Sequence, residues 1–177
     1  MEETKEVKTS VKEDAASDIE VIFGKPEHSE VLADFSAKMA FETEDKTIDT
    51  KPIAQAFQRF LSFEPSKEGE RALGFYLVAV TSSGVCVGSM MITYECNPVI
   101  GGLIYMIHNV YVEKEYRKLG VFKKIYNKAK QLAEEDPNCK CMRLFVELEN
   151  ELAMKVYTRM GMARIDNTVM EKDIKLG

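Results

Sequence analysis

The sequence predicts a mixed α/β fold, an α+β arrangement in which helices flank a mostly antiparallel central sheet. Three observations predict it. Apolar runs of strand length alternate with stretches whose apolar residues recur at three- and four-residue spacing. Two strand-like runs, residues 73–81 and 85–94, are joined by Ser82-Ser83-Gly84, a short hairpin turn. A nearly continuous apolar run over residues 103–112 leads through a short basic turn into a long amphipathic helix.

Residues 1–17 carry many charges and almost no large apolar side chains, so a disordered tail is expected there. One domain, residues 18–177, should follow. Residues 19–23 alternate weakly and read as a first strand. Val31, Leu32, Phe35 and Met39 give residues 26–41 a helical spacing, and the acidic stretch 42–49 ends that helix. Thr50 is a candidate cap for a second helix, with Pro52 in its first turn and Ile53, Ala56, Phe57, Phe60 and Leu61 as its apolar stripe. Residues 64–71 form a charged connector to the hairpin. Asn97-Pro98 and Gly101-Gly102 bracket a loop before the central strand. A helix over 119–135 points Val121, Ile125, Ala129 and Leu132 inward, and Asp136-Pro137-Asn138 stops it. A strand over 141–147 is followed by a helix capped by Asn150 and closed by Gly161. Residues 162–173 are expected to close the sheet.

At 177 residues and 45% hydrophobic, the chain can bury a substantial core. No apolar run reaches 18 residues and the N-terminus has no apolar segment of signal type, so neither a membrane span nor a secretory signal is expected. Four irregularly spaced cysteines predict a reducing, cytoplasmic compartment rather than a disulfide framework. Cys139-x-Cys141 lacks a second pair, so no metal site is expected. The net charge of −5 disfavours nucleic acid as a partner. Yet from Glu113 to Gln131 seven Lys and Arg face two acids, a local basic patch inside an acidic protein.

That patch surrounds the strand, turn and helix of residues 109–122, Asn-Val-Tyr-Val-Glu-Lys-Glu-Tyr-Arg-Lys-Leu-Gly-Val-Phe. The first turn of a helix has N–H groups with no intrahelical partner, and its dipole favours an anion. Lys114, Arg117, Lys118, Lys123 and Lys124 add side-chain charge there, so the site suits a phosphate-bearing ligand. The nucleoside-triphosphate and dinucleotide glycine patterns are both absent. What is present is Arg117-x-x-Gly120 after a strand, then Asn150-x-x-Ala153-x-x-x-Tyr157 and Met160-Gly161-Met162.

In this combination the sequence resembles the GNAT superfamily of acetyl-CoA-dependent N-acetyltransferases, closely over residues 110–162 and in element order over residues 19–173. Gly120-Val121-Phe122 with Glu42-Thr43-Glu44 also resembles a sub-branch of predicted acetyltransferases with no substrate attached. One departure stands out: Phe122 occupies a place where the family pattern has a second small residue. The resemblance implies a GNAT-like acyltransferase fold and acetyl-CoA as co-substrate, without a metal. Val110, Tyr111 and Val112 would pair with the pantetheine arm. Arg117, Lys118, Leu119, Gly120, Val121, Phe122 and Lys123 would form the phosphate turn, and Asn150 would also contact the cofactor. Tyr157 stands where the family places a proton donor for the leaving thiolate. The stripe Leu152, Val156 and Met160 also allows a core aromatic there. His108, in strand parity with Val110 and Val112, is the candidate base. By position it resembles a catalytic histidine of serotonin N-acetyltransferase. A satisfied strand histidine is the alternative. Glu42, Glu44 and Asp45, with Tyr94 and Glu95, border the region that in this fold would hold the acceptor; solvated loop acids are the alternative.

The expected activity is acetyl transfer to a primary amine, a small cation, by direct attack in a ternary complex. A protein lysine or N-terminal acetyltransferase, and a non-catalytic acyl-CoA-binding module, remain open alternatives. The acceptor's identity and the oligomeric state, with a homodimer among the options, are not fixed by the sequence.

Overall fold

The computed structural model describes residues 18–63, 72–166, 168–170 and 172. The predicted tail over 1–17 and the connector over 64–71 lie outside the described residues. The chain divides into two compact units that meet between Leu144 and Phe145.

The first unit holds a five-stranded sheet in the order β1-β2-β3-β4-β5: Glu20–Phe23, Gly74–Val80, Cys86–Asn97, Gly102–Val112 and Cys139–Leu144. The first three pairings are antiparallel and β4–β5 is parallel. Three helices accompany it: α1 Ser29–Glu44, α2 Thr50–Leu61 and α3 Val121–Glu135. The mixed, mostly antiparallel sheet flanked by helices is therefore the observed fold.

Each sheet face buries its own helical layer. On one face Leu32, Ala33 and Phe35 of α1 and Phe57 of α2 pack with Tyr76, Val78 and Tyr111. Phe57 meets the Tyr76 ring edge-on at 5.4 Å, a geometry aromatic quadrupoles favour. On the other face α3 turns Val121, Ile125, Ala129 and Ala133 into the interior and contacts β2, β3, β4 and β5. Gly88 admits this helix: a Cβ there would lie 3.3 Å from Ile125 Cδ1 and from Val112 Cγ2. Gly74 has no room for a side chain, since a Cβ would fall 1.9 Å from the Ile92 carbonyl oxygen.

Several boundaries differ from the sequence reading. Asp49, not Thr50, caps α2; its carboxylate accepts from the Lys51 N–H at 3.0 Å, and Thr50 is already helical. Ala54, not Ala56, joins the α2 stripe, and Ala133 is buried where Leu132 was expected. The fifth strand is Cys139–Leu144 rather than 141–147. It begins directly after the Asp136-Pro137-Asn138 turn and stops where its partner strand β4 becomes irregular.

The second unit contains α4, Glu151–Arg159, capped by Asn150, whose Oδ1 accepts from the Ala153 N–H at 3.0 Å. Gly161 follows at φ 89°, the left-handed conformation that ends helices and that glycine adopts freely. Among the described residues after it there is no strand, so the expected sheet closure over 162–173 is not found. Ile165, Val169 and Met170 are exposed instead of alternating onto a buried face. Residues 167, 171 and 173 lie outside the described residues.

Candidate functional site

A break in the regularity of β4 defines the site. In the β3–β4 register, Met91 opposes His108 and Ser89 opposes Tyr111. Two residues, Asn109 and Val110, therefore share the place opposite Met90, which is a β-bulge. Asn109 has φ 45°, a left-handed conformation that asparagine tolerates better than most residues. Its Nδ2 donates to the buried Tyr76 hydroxyl at 3.0 Å, which fixes the bulge to the core. β5 pairs with β4 only from Leu103 to Ile107. Beyond the bulge the two strands no longer pair, so β4 from His108 to Val112 has a side without a β5 ladder.

The bulge also corrects the expected parity of His108. Its register partner Met91 packs on the α1–α2 core, as Tyr111 does, whereas Val112 packs toward α3 beside Gly88. His108 thus shares a face with Tyr111 and not with Val112. Its Nε2 lies 2.9 Å from Thr93 Oγ1, and burial lowers its pKa from the ordinary 6.5. At neutral pH the ring is therefore uncharged and can accept a proton. Tyr94 opposes Tyr105 one residue past Thr93 and so lies on the other face from His108, its ring 5.1 Å from that of Tyr105.

After Val112 a single 3-10 turn, Lys114–Tyr116, leads to the basic turn. Arg117 is extended, Lys118 has φ 64° and Gly120, the N-cap of α3, has φ 82°. No side chain caps α3, and a Cβ on Gly120 would meet nothing within 4 Å. The helix N-terminus is thus open toward space, with Lys118 and Lys123 exposed beside it, and these features fit the phosphates of coenzyme A. Val121 is buried and offers only main chain, while Leu119 is half-buried. The Phe122 ring lies 5.9 Å from Tyr126, one turn along its own helix. Lys124 donates to the Ile19 carbonyl at 3.1 Å and serves the fold.

The turn is tied to α1. Arg117 Nε donates to the Val112 carbonyl at 2.8 Å, and its Nη2 reaches Glu42 Oε2 at 2.9 Å. The Tyr111 hydroxyl donates to Glu42 Oε1 at 3.0 Å, and Lys114 lies 3.6 Å from the same carboxylate. Burial would raise the Glu42 pKa, but hydrogen bonds from Arg117 and Tyr111 outweigh it and the pKa is lowered. Burial, and then donation to Glu42, push the Tyr111 phenol up to about 12. Glu42 and Tyr111 line a groove of about 510 Å³ with Lys38, Phe41, Glu113 and Lys114. Glu44 is exposed and ion-paired with Lys46. Of the expected acceptor residues, then, Glu42 is tied to the basic turn, Glu44 holds a lysine, and Tyr94 faces away from His108.

In the second unit burial raises the Tyr157 pKa, so its phenol stays protonated at neutral pH. No group of three or more His, Cys, Asp or Glu side chains placed to hold a metal is found among the described residues. None of the described helices is long and apolar enough to cross a membrane. Sequence reasoning missed Asn109 and Tyr76. The available signal was the asparagine itself, a residue of low strand propensity inside an apolar run.

A strand that parts from its parallel neighbour, followed by a glycine turn and an uncapped helix, fits the needs of an acyl-CoA-dependent transferase. The acetyltransferase (GNAT) family matches residues 38–162. The chain belongs to that family and is an acyltransferase. It is similar to the crystal structure of a possible acetyltransferase from Clostridium difficile 630, with 30% identity and a TM-score of 0.78, covering 89% of this chain and 98% of that one. At the level of fold it also resembles ribosomal-protein-alanine N-acetyltransferase from Brucella melitensis biovar Abortus 2308, at 16% identity and TM-score 0.68, covering 88% and 99% of the two chains. An aminoglycoside acetyltransferase from an uncultured soil metagenomic sample is similar at 12% identity and TM-score 0.69, covering 90% and 98%. No match is found among the curated proteins.

Proposed function

We propose that the protein transfers the acetyl group of acetyl-CoA to a primary amine, a small cation, by direct attack within a ternary complex. The observation that carries this reading is the open N-terminus of α3 behind Gly120, next to a β4 edge that β5 leaves after Ile107. The N–H groups of the turn 118–123, with Lys118 and Lys123, hold the phosphates. Val110 and Val112 pair with the amides of the pantetheine arm as a neighbouring strand would. A main-chain N–H near Val110 stabilises the oxygen that becomes negative during transfer. Asn150 Oδ1 serves the cap of α4.

Acetyl-CoA supplies an activated thioester. His108, held neutral by burial, takes a proton from the amine directly or through one water. Tyr157, held protonated, donates to the departing sulfur. The net charge of −5 supports a cationic acceptor. Glu42 and Glu44 each carry a cation of the protein, so that attraction is a property of the whole molecule rather than of these two acids. Four free thiols suit the reducing, cytoplasmic setting expected from the sequence.

Release of the coenzyme A thiol from acetyl-CoA, measured with polyamines, aminoglycosides, arylalkylamines, amino acids and peptides, tests the reading. Release should depend on a small cationic amine. Tyr157→Phe should lower kcat by about 10- to 1000-fold with little change in cofactor affinity, since its hydrogen bond forms as the thiolate develops. Binding of acetyl-CoA without thiol release for any amine in the panel would indicate a binding module. A clear preference for peptides would move the acceptor class to proteins.

A further inference from the structure

Resting on that reading, we propose that Arg117 is a positioning residue and not a phosphate ligand, and that Glu42 and Tyr111 complete a clasp that sets the turn before α3. The guanidinium is engaged through Nε, through Nη2 and over one ring face. Nε donates to the Val112 carbonyl at 2.8 Å. Nη2 lies 2.9 Å from one Glu42 oxygen and 3.1 Å from the other. The guanidinium carbon stands 5.3 Å from the centre of the Tyr111 ring, a cation–π distance. Glu42 in turn takes the Tyr111 hydroxyl.

The clasp joins three pieces of chain: the last turn of α1, the end of β4 and the start of the basic turn. Its work follows from the turn's own conformation. Lys118 has φ 64°, which costs a residue with a Cβ about 1–2 kcal/mol. Such a conformation persists only when its surroundings hold it. Arg117, immediately before it, is held by the Val112 carbonyl and by Glu42. A guanidinium that turns to a phosphate must first give up its contacts with Glu42 and the Val112 carbonyl. Phosphate binding therefore rests on the main-chain N–H groups behind Gly120 and on Lys118 and Lys123, and the clasp keeps those groups in register.

The rival arrangement is an Arg117 that leaves Glu42 and swings to the phosphate when coenzyme A binds. The two predict opposite signs for one substitution. If Glu42 competes with the phosphate, Glu42→Gln tightens binding. If Glu42 holds the clasp, Glu42→Gln loosens it.

Coenzyme A affinity is measured by calorimetry on the full chain in the wild type, Glu42→Gln, Arg117→Gln and the double variant. Each single variant should bind about 10-fold more weakly, and the double variant no worse than the weaker single, because both break one contact. KM for acetyl-CoA should rise by a similar factor while kcat at saturation stays within about 2-fold of the wild type. Tyr111→Phe should shift affinity in the same direction by less. It keeps the ring in the core and preserves the comparison if a charge variant unfolds. Glu42→Gln or Tyr111→Phe binding as tightly as the wild type, or more tightly, overturns the clasp alone. A wild type that does not bind coenzyme A overturns the proposed function, and the clasp with it, before any variant is compared.

Discussion

His108 stands half-buried with Nε2 2.9 Å from Thr93 Oγ1, and burial holds its pKa below the ordinary 6.5. Two consequences have definite signs. As a base it is already free at neutral pH, so kcat/KM should rise with pH through a midpoint below ~6.5 and be flat above it. His108→Gln should remove that rising limb while the chain stays folded. An unchanged profile in the variant would assign the proton to another group. Stability follows the same titration. The unfolded chain takes up the proton first, so His108 contributes stability above the ordinary histidine value. That contribution is lost as pH falls through the lowered one. The residue type was legible in the sequence, but its facing was not. Strand parity aligned His108 with Val112, and the extra residue in the bulge reverses that relation.

The element that matters most is the bulged strand. Asn109 adopts φ 45° and donates to Tyr76 across the sheet. Asn109→Ala should lose both the tolerance for this conformation and the hydrogen bond, about 1–3 kcal/mol together. Asn109→Gly loses only the bond and should be the less destabilised of the two. Urea denaturation of the pair checks this, and the reverse order would mean that the left-handed backbone is not what the asparagine supplies. Helices were legible because their apolar spacing is local: α1, α2 and α3 lie within a few residues of the expected ranges. The cap of α2 was misplaced by one residue because Asp49 and Thr50 are both capping types. The end of β5 depends on where β4 stops pairing, a tertiary event with no sequence pattern of its own.

At the scale of the molecule, the order of strands and helices as far as α4 and the strand–turn–helix at 109–122 were readable, whereas the closing strand expected over 162–173 is not found among the described residues. The readable parts rest on periodicity and on Gly120, and the structure gives Gly120 the left-handed φ of 82° that such a turn requires. The acidic cluster was readable as charge but not as contact, because the pairing of Glu42 with Arg117 spans 75 residues of sequence. Charge spacing along the chain carries no information on such a pair. The account as a whole rests on coenzyme A occupying the N-terminus of α3, and this is tested most directly by thermal unfolding with and without acetyl-CoA. A ligand that binds the folded state alone raises the melting temperature by mass action. The wild type should show that rise, and Gly120→Glu should not, since its carboxylate would stand in the phosphate site and its Cβ would strain the left-handed turn. Comparison of the two unliganded proteins separates the strain from the ligand effect. An equal rise in the variant, or no rise in the wild type, would contradict the account.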